Sequence, residues 1–272
     1  MALTQTGPGW LFCPADRPER FEKAAAAADV VILDLEDGVA AKDREAARAA
    51  LIDTPLDPSR TVVRVNPATT PDHELDLLAL ARTDYTTVML AKTESAEQIA
   101  ALAPLDVVVL IETPLGALVV TELARADNAL AVMWGAEDLF AVLGGTSNRN
   151  ADGSYRDVAK HVRSQTLLAA KAYGRMALDS VYLDIKDLDG LRTEVDDAVA
   201  VGFDAKVAIH PTQVAVIRAG YTPTVDQVLW AQDVLEAARS ERGVFQFKGQ
   251  MVDMPVLRRA ERIVALAPHP ES

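Results

Sequence analysis

Eight short apolar runs recur along the chain, most of them followed by a stretch of helical periodicity, and this alternation constrains the fold more than any other feature. The runs are "WLFCP", "VVILDLED", "TVVRVN", "TVMLAK", "VVVLIET", "LAVMWG", "SVYLDI" and "AKVAIHP". Continuous Val, Ile and Leu segments suit strands covered on both faces, as in a parallel sheet. Between them lie "RPERFEKAAAAA", "AKDREAARAALI", "HELDLLALA" and "SAEQIAALA". Their apolar residues recur three and four positions apart, the period of a helix with one buried face. Eight strands with intervening helices predict an α/β protein with a (β/α)8 (TIM) barrel. A doubly wound open sheet is the alternative, but it more often carries a glycine-rich phosphate turn. Neither GxGxxG nor GxxxxGK[ST] occurs in the chain.

The barrel is expected over residues 1–220. The connection after the sixth strand, "LGGTSNRNADGSYRD", reads as a polar loop leading to a long helix through "VAKHVRSQTLLAAKAYG". Residues 221–272 exceed what a closed barrel needs. They read as a helix, a hairpin-like "VFQFKGQMVDMP" and a last helix, a C-terminal extension suited to a lid or to packing on a neighbouring subunit.

Half of the 272 residues are hydrophobic and 25% charged, ordinary for a globular protein with a real core. No apolar stretch approaches the roughly 18 residues that span a bilayer. The opening "MALTQTGPGW" lacks the basic and apolar regions of a signal peptide. Cys13 is the single cysteine, so neither an intrachain disulfide nor a thiolate metal cluster can form. A cytoplasmic location is the expectation. The net charge of −13 opposes nucleic-acid binding, which takes a basic stripe, but leaves room for a small anionic ligand held locally. His73, His161, His210 and His269 are scattered, without the paired spacing of zinc sites.

Charged residues gather at the C-terminal ends of the predicted strands: Asp34, Glu36, Asp37, Arg64, Lys92, Glu112, Glu137, Asp138, Asp184 and His210. In a (β/α)8 barrel these ends converge on the face that carries catalytic groups. One acid after a strand is most often a helix cap; so many on one face point to a site. Glu112 and Asp138 end adjacent strands, so their carboxylates can share an ion. With oxygen ligands only, the ion is hard, Mg²⁺ with Mn²⁺ as the alternative. Arg64 offers a planar fork suited to a carboxylate. A metal beside an arginine describes a site that chelates a 2-oxo acid and stabilises an enolate.

The segments "FCPADRPERFEKA", "VILDLEDGV", "VVRVN", "LIETPLG", "WGAEDL", "AIHPTQV" and "GQMVDMP" occur in this order and run nearly end to end. In them the chain resembles the citrate lyase β-subunit-like group of the aldolase/citrate lyase superfamily, which includes malyl-CoA lyases. The resemblance implies a (β/α)8 fold, assembly into trimers or larger homo-oligomers, Mg²⁺, and Claisen-type chemistry on acyl thioesters. It implies Glu112 and Asp138 as metal ligands and Arg64 as the clamp on the substrate carboxylate. The first segment matches the part that meets coenzyme A, which implicates Phe12, Arg17 and Lys23. Asp253, which residue chemistry alone reads as a turn before the last helix, matches an aspartate that reaches into a neighbouring subunit as general acid/base. Glu36 and Asp37 are expected to bind metal-held waters or orient the clamp. Gly135, Ala136 and Glu137 are expected to turn backbone amides toward the substrate carboxylate. Lys92 follows Ala91 where family members commonly have "PK", and Cys13 reads as a small buried hydrophobe.

The expected activity is therefore Mg²⁺-dependent retro-Claisen or aldol cleavage of a short carboxylated 3-hydroxyacyl-CoA. Malyl- and methylmalyl-CoA fit, giving glyoxylate, as do citramalyl-CoA, giving pyruvate, and 3-hydroxy-3-methylglutaryl-CoA, giving acetoacetate, each with an acyl-CoA. Oxaloacetate is the oxo acid a citryl thioester would give. The alternatives are the citryl-acyl-carrier-protein lyase subunit of a citrate lyase complex, or a malate-synthase- or thioesterase-type variant. A non-catalytic oxo-acid-binding subunit would have no need of Asp253.

Overall fold

The structure, a computed structural model, describes residues 3, 6–241 and 243–267; His269 lies outside the described residues. Strands β1 (Gly9–Pro14), β2 (Val30–Asp34), β3 (Thr61–Val65), β4 (Thr87–Leu90), β5 (Asp106–Ile111), β6 (Ala129–Trp134), β7 (Met176–Asp179) and β8 (Ala205–Ala208) close into a barrel in chain order. All neighbours are parallel, and β8 pairs back onto β1. The (β/α)8 expectation holds.

The intervening helices are α1 (Phe21–Ala27), α2 (Arg44–Asp53), α3 (Pro71–Leu80), α4 (Ala96–Ala100), α5 (Pro114–Arg125), α6 (Ala136–Leu143), α7 (Asp157–Ala172), α8 (Leu188–Val201) and α9 (Pro211–Tyr221). Several begin where a side chain supplies the acceptor that a free helix terminus lacks. Thr113 accepts from Gly116 N ahead of α5, Asp187 accepts from Gly190 N ahead of α8, and Ser95 and Gln98 form a capping box on α4. None of the helices among the described residues is long and apolar enough to cross a membrane.

The seventh strand corrects the sequence reading. It is "MALD" at Met176–Asp179, whereas "SVYLDI" follows the strand as an irregular segment. Asp184 is consequently an exposed loop residue whose side chain accepts from the amides of Lys186 and Asp187. The charged end of β7 is Asp179 instead.

Side chains alternate across a strand, and the parity here is consistent around the barrel. Trp10, Val30, Ile32, Val62, Met89, Val108, Leu110, Ala131, Met133, Leu178, Ala205 and Val207 pack together as one buried cluster, the barrel interior. Two residues further along, the same parity reaches Phe12 on β1, Asp34 on β2, Arg64 on β3, Glu112 after β5, Gly135 after β6, Ser180 after β7 and Ile209 after β8. The apolar layers thus give way to a charged layer at the C-terminal mouth.

The opposite parity faces the helices, and it too carries buried charge. Asp179 accepts from Trp134 Nε1 at 2.7 Å, Arg163 Nε at 2.9 Å and Lys206 Nζ at 3.1 Å. Lys206, fully buried, also reaches Ser180 O at 2.7 Å and Glu194 Oε2 at 3.3 Å. Paired in this way, the two charges tie the ends of β6, β7 and β8 to α7 and α8.

By contact the chain separates into two compact units, Met1–Ile217 and Arg218–Ser272, where the sequence reading placed the boundary after residue 220. The second unit contains α10 (Val225–Ala238), an antiparallel hairpin of β9 (Phe245–Phe247) and β10 (Gln250–Val252), and α11 (Met254–Leu266). Ala231, Val234, Val252 and Ala260 form its own small core.

Burial alone would raise the Asp179 pKa, but Lys206, Arg163 and the Trp134 indole outweigh it and hold the group at about 2. A carboxylate depressed in the folded state stabilises the fold above its unfolded pKa of about 3.9, and that contribution is lost as pH falls toward the folded value. Asp179→Asn, which leaves Lys206 and Arg163 without their shared anion, is expected to destabilise the protein by about 3–5 kcal/mol at neutral pH. The variant should also lose part of the stability change between about pH 4 and 2. Urea unfolding midpoints across that range check both effects.

Candidate active site

Asp34 organises the mouth of the barrel. Arg64 donates to it through both Nε (2.7 Å) and Nη2 (2.6 Å), the two-pronged geometry that fits a guanidinium to a carboxylate. Asp34 also accepts from the amides of Glu36 (2.9 Å) and Gly38 (2.8 Å), which curls "DLEDG" back over the strand end. A side chain at Gly38 would place its Cβ 2.3 Å from Asp34 Oδ2, so the turn requires glycine there. Sequence reasoning counted Asp34 among the charged strand ends without giving it a role. Its signal was the inward parity it shares with Arg64.

Arg64 rests against the face of Phe12, its Cζ 4.6 Å from the ring centroid, and its Nη1 lies 3.2 Å from Glu36 Oε2. Burial opposes its charge, but Asp34, Glu36 and Glu112 outweigh that and hold the guanidinium more firmly protonated than usual. Nε and Nη2 are thus committed to Asp34 and Nη1 lies beside Glu36, and the arginine lines a cavity of about 340 Å³. Phe12, Asp34, Asp37, Glu112, Gly135, Ala136, Glu137 and Asp138 line the same cavity. The structure therefore brings together most of the residues singled out from the sequence.

Lys92 is the residue whose place the sequence left open. It follows β4 with φ at 50°, a left-handed conformation that costs a non-glycine residue on the order of 1 kcal/mol and collects at functional sites. Its amide donates to Glu112 Oε1 at 2.9 Å. Its ammonium lies 2.5 Å from Glu36 Oε1, 3.1 Å from Asp37 Oδ2, 3.3 Å from Asp138 Oδ1 and 4.0 Å from Glu112 Oε1. These carboxylates outweigh burial and hold Lys92 well above the ordinary lysine range.

Five carboxylates (Asp34, Glu36, Asp37, Glu112 and Asp138) thus face two cations. Glu112 shows the consequence. Burial raises its pKa to about 8 despite Arg64 and Lys92, with Asp138 and Glu36 adding to the rise. A buried carboxyl pushed this far toward neutrality, with a second carboxylate reaching the same ammonium, fits the donor set of a hard divalent cation. Among the described residues no group of three or more His, Cys, Asp or Glu side chains is arranged to hold a metal ion by itself. Mg²⁺ does not need that, since it commonly takes one or two carboxylates and completes its octahedron with waters and substrate oxygens.

Gly135 corrects one expectation. Its amide donates to Ile111 O at 2.8 Å, so it continues the barrel ladder and is not available to a ligand. What it supplies is room, because a Cβ there would lie 3.0 Å from Glu112 Cβ and 3.1 Å from Glu112 Oε2. Ala136 and Glu137 open α6, whose first turn has no side-chain cap, so their amides lack the intrahelical acceptor that interior amides have. The Glu137 side chain is held by Asn148 Nδ2 at 2.6 Å.

Lys23 lines a second cavity, about 370 Å³, together with Phe12, Arg20 and His210. Arg17 lines neither cavity and pairs loosely with Asp16 at 3.7 Å. Cys13 is buried and its thiol is pushed up to about 11, mainly by that burial, in keeping with an inert packing residue. Asp253 belongs to the C-terminal unit, where it caps α11 by accepting from Val256 N at 3.3 Å.

Comparison with known proteins places this geometry. A citrate lyase subunit beta-like protein of Mycobacterium tuberculosis is 62% identical over 267 residues, 98% of each chain. Mouse mitochondrial citramalyl-CoA lyase is 32% identical over 291 residues, covering 94% of this chain and 85% of its own. A crystal structure of the M. tuberculosis protein CitE in complex with magnesium, acetoacetate and coenzyme A superimposes with a TM-score of 0.95 at 62% identity, covering 97% of this chain and 99% of that one. Residues 9–211 match the HpcH/HpaI aldolase/citrate lyase family, and the chain belongs to that family.

Proposed function

We propose that the protein is a Mg²⁺-dependent carbon–carbon lyase that cleaves a short, carboxylated 3-hydroxyacyl-CoA into an oxo acid and an acyl-CoA. The observation that carries this reading is the charged layer over the apolar barrel interior, where Glu112 and Asp138 meet one cation beside an arginine pinned by Asp34. The magnesium, acetoacetate and coenzyme A held by the M. tuberculosis relative support it, as does the activity named for the mouse relative.

Glu112 and Asp138 hold the ion. Mg²⁺ bound there would supply Lewis-acid stabilisation of the negative charge on the substrate's hydroxyl oxygen as its proton leaves. Arg64 takes the substrate carboxylate with the donors Asp34 leaves over, and Asp34 fixes the fork so that little ordering entropy remains to be lost on binding. The amides of Ala136 and Glu137 face the same carboxylate. Glu36 and Asp37 anchor Lys92 and orient the clamp. Leu110, Met133, Val181 and Ile209 form the apolar wall of the cavity, excluding water and strengthening each electrostatic contact inside. The thioester extends past Phe12 toward the second cavity, where Arg20 and Lys23 meet the coenzyme's phosphates; Arg17 flanks that path.

Cleavage breaks the bond between the thioester's α-carbon and the hydroxyl-bearing carbon. The hydroxyl loses its proton and becomes the new carbonyl, while the electron pair remains on the α-carbon as an enolate that must gain a proton. Asp253, supplied by the C-terminal unit of a neighbouring copy in a homotrimer, accepts the hydroxyl's proton and returns one to the α-carbon as general acid/base, so that no net proton is gained or lost.

Assay of the purified chain with Mg²⁺ on malyl-, methylmalyl-, citramalyl- and 3-hydroxy-3-methylglutaryl-CoA tests the reading. Turnover of at least one, abolished by EDTA and restored by Mg²⁺, is expected; inactivity on all four would overturn it. Turnover only of citryl bound to an acyl carrier protein would assign the citrate lyase subunit role. Arg64→Lys keeps the charge but not the fork, and kcat/KM should fall by about 10²-fold or more. Asp253→Asn should lower kcat by about 10²–10⁴-fold while oxo-acid binding, followed by calorimetry, stays unchanged. Full activity in that variant removes Asp253 from the mechanism.

A further inference from the structure

We infer that Lys92 sets the affinity of the site for its divalent ion, acting as a tethered counter-cation that faces the same two carboxylates as the metal. The inference rests on the reading of Glu112 and Asp138 as metal ligands. Its own basis is the position of one atom. Lys92 Nζ lies 3.3 Å from Asp138 Oδ1 and 4.0 Å from Glu112 Oε1, while Glu36 Oε1 and Asp37 Oδ2 hold it at 2.5 and 3.1 Å. An ammonium at this range from both ligands repels a divalent cation at the same carboxylates and competes for their lone pairs. Glu112 is buried and Lys92 and Asp138 are part-buried, so this repulsion is screened less than it would be at the surface.

The two acids nearest the ammonium fix it in place. Glu36 is almost completely buried and is itself fixed, accepting from Asp37 N at 3.0 Å and lying 3.2 Å from Arg64 Nη1. Glu36 and Asp37 therefore tether the ammonium beside Glu112 and Asp138. Lys92 balances part of the surplus of carboxylates, so the cluster does not depend on the metal alone for charge compensation, and the ion binds more weakly than the bare acids would bind it. A site that must admit substrate oxygens to the ion gains from this, because weaker protein binding leaves the ion more electrophilic toward its remaining ligands.

Charge and scaffold can be separated at this residue. The bond from Lys92 N to Glu112 Oε1, 2.9 Å long, belongs to the backbone and survives substitution of the side chain. Replacement by another non-glycine residue also leaves the backbone strain at φ 50° as it was. Lys92→Met thus removes the ammonium while Glu112 keeps its orienting donor. A purely structural lysine would lose metal affinity on substitution; a competing counter-cation would gain it.

The test is calorimetric titration of MgCl2 into the full chain, comparing wild type with Lys92→Met, Lys92→Arg and Glu112→Gln. The expected result is Mg²⁺ binding about tenfold or more tighter in Lys92→Met, a gap that narrows as salt is raised. Lys92→Arg, which keeps the charge, should stay near wild type, and Glu112→Gln should lose binding. Equal or weaker binding in Lys92→Met, with wild type and Glu112→Gln behaving as stated, overturns the inference and leaves the metal reading intact. Absence of Mg²⁺ binding in wild type overturns the metal reading, and this inference with it. If Lys92→Met folds only when Mg²⁺ is present, the ion is replacing the missing charge, as the inference requires. Misfolding that Mg²⁺ does not rescue marks Lys92 as structural and overturns it.

Discussion

Arg64 is 8% exposed at the end of a barrel strand, and a guanidinium at that depth must be matched by an anion or the strand end would not stay folded. Asp34, one strand away and on the same inward parity, is the match, and most of the site depends on that pair. Because both prongs of the pair are used, the arginine cannot swing. Because Asp34 also receives the amides of Glu36 and Gly38, the loop after β2 folds inward and sets Glu36 against Arg64 and Lys92. Lys92 in turn connects this side of the mouth to Glu112 and Asp138 across it. Breaking such a pair by removing one partner leaves a buried charge uncompensated, which costs far more than the pair gains over an apolar substitute.

Strand parity divides the labour of the charged residues. On the inward side, Asp34, Arg64 and Glu112 stand over apolar layers and face a cavity of about 340 Å³. On the outward side, Asp179 and Lys206 are as deeply buried yet form a closed set with Arg163, Glu194 and the Trp134 indole. The chemistry of the side chains is the same. The difference lies in satisfaction: Asp179 has strong partners and is held at about 2, whereas Glu112 has too few and rises to about 8. Under-compensation of a buried acid marks the place where an added cation gains most.

Where the structure departs from the sequence expectation, long-range partners are the cause. "SVYLDI" outranks "MALD" in β-propensity, but propensity is weak against register. Leu178 and Asp179 pair with Ala205 and Lys206 on β8, and that pairing selects the earlier segment. The expectation of a ligand-facing amide at Gly135 rests on the room its missing side chain leaves; whether that amide is free depends on Ile111, a partner on the adjacent strand. Lys92 was undervalued because no local pattern shows a lysine bent back through a left-handed residue onto acids from three other strand ends.

Local order in the chain was enough to determine the eightfold repeat, the barrel it closes into, and the collection of acids, Arg64 and Lys92 at one end of it. Those follow from the period of two in a strand and from the way parallel strands all point their C-terminal ends at one face. Only the tertiary structure decided which of those charges neutralise each other, which stay under-compensated and which face solvent. Such distinctions depend on distances of a few ångströms between residues far apart in the chain, and on a dielectric that burial alone sets.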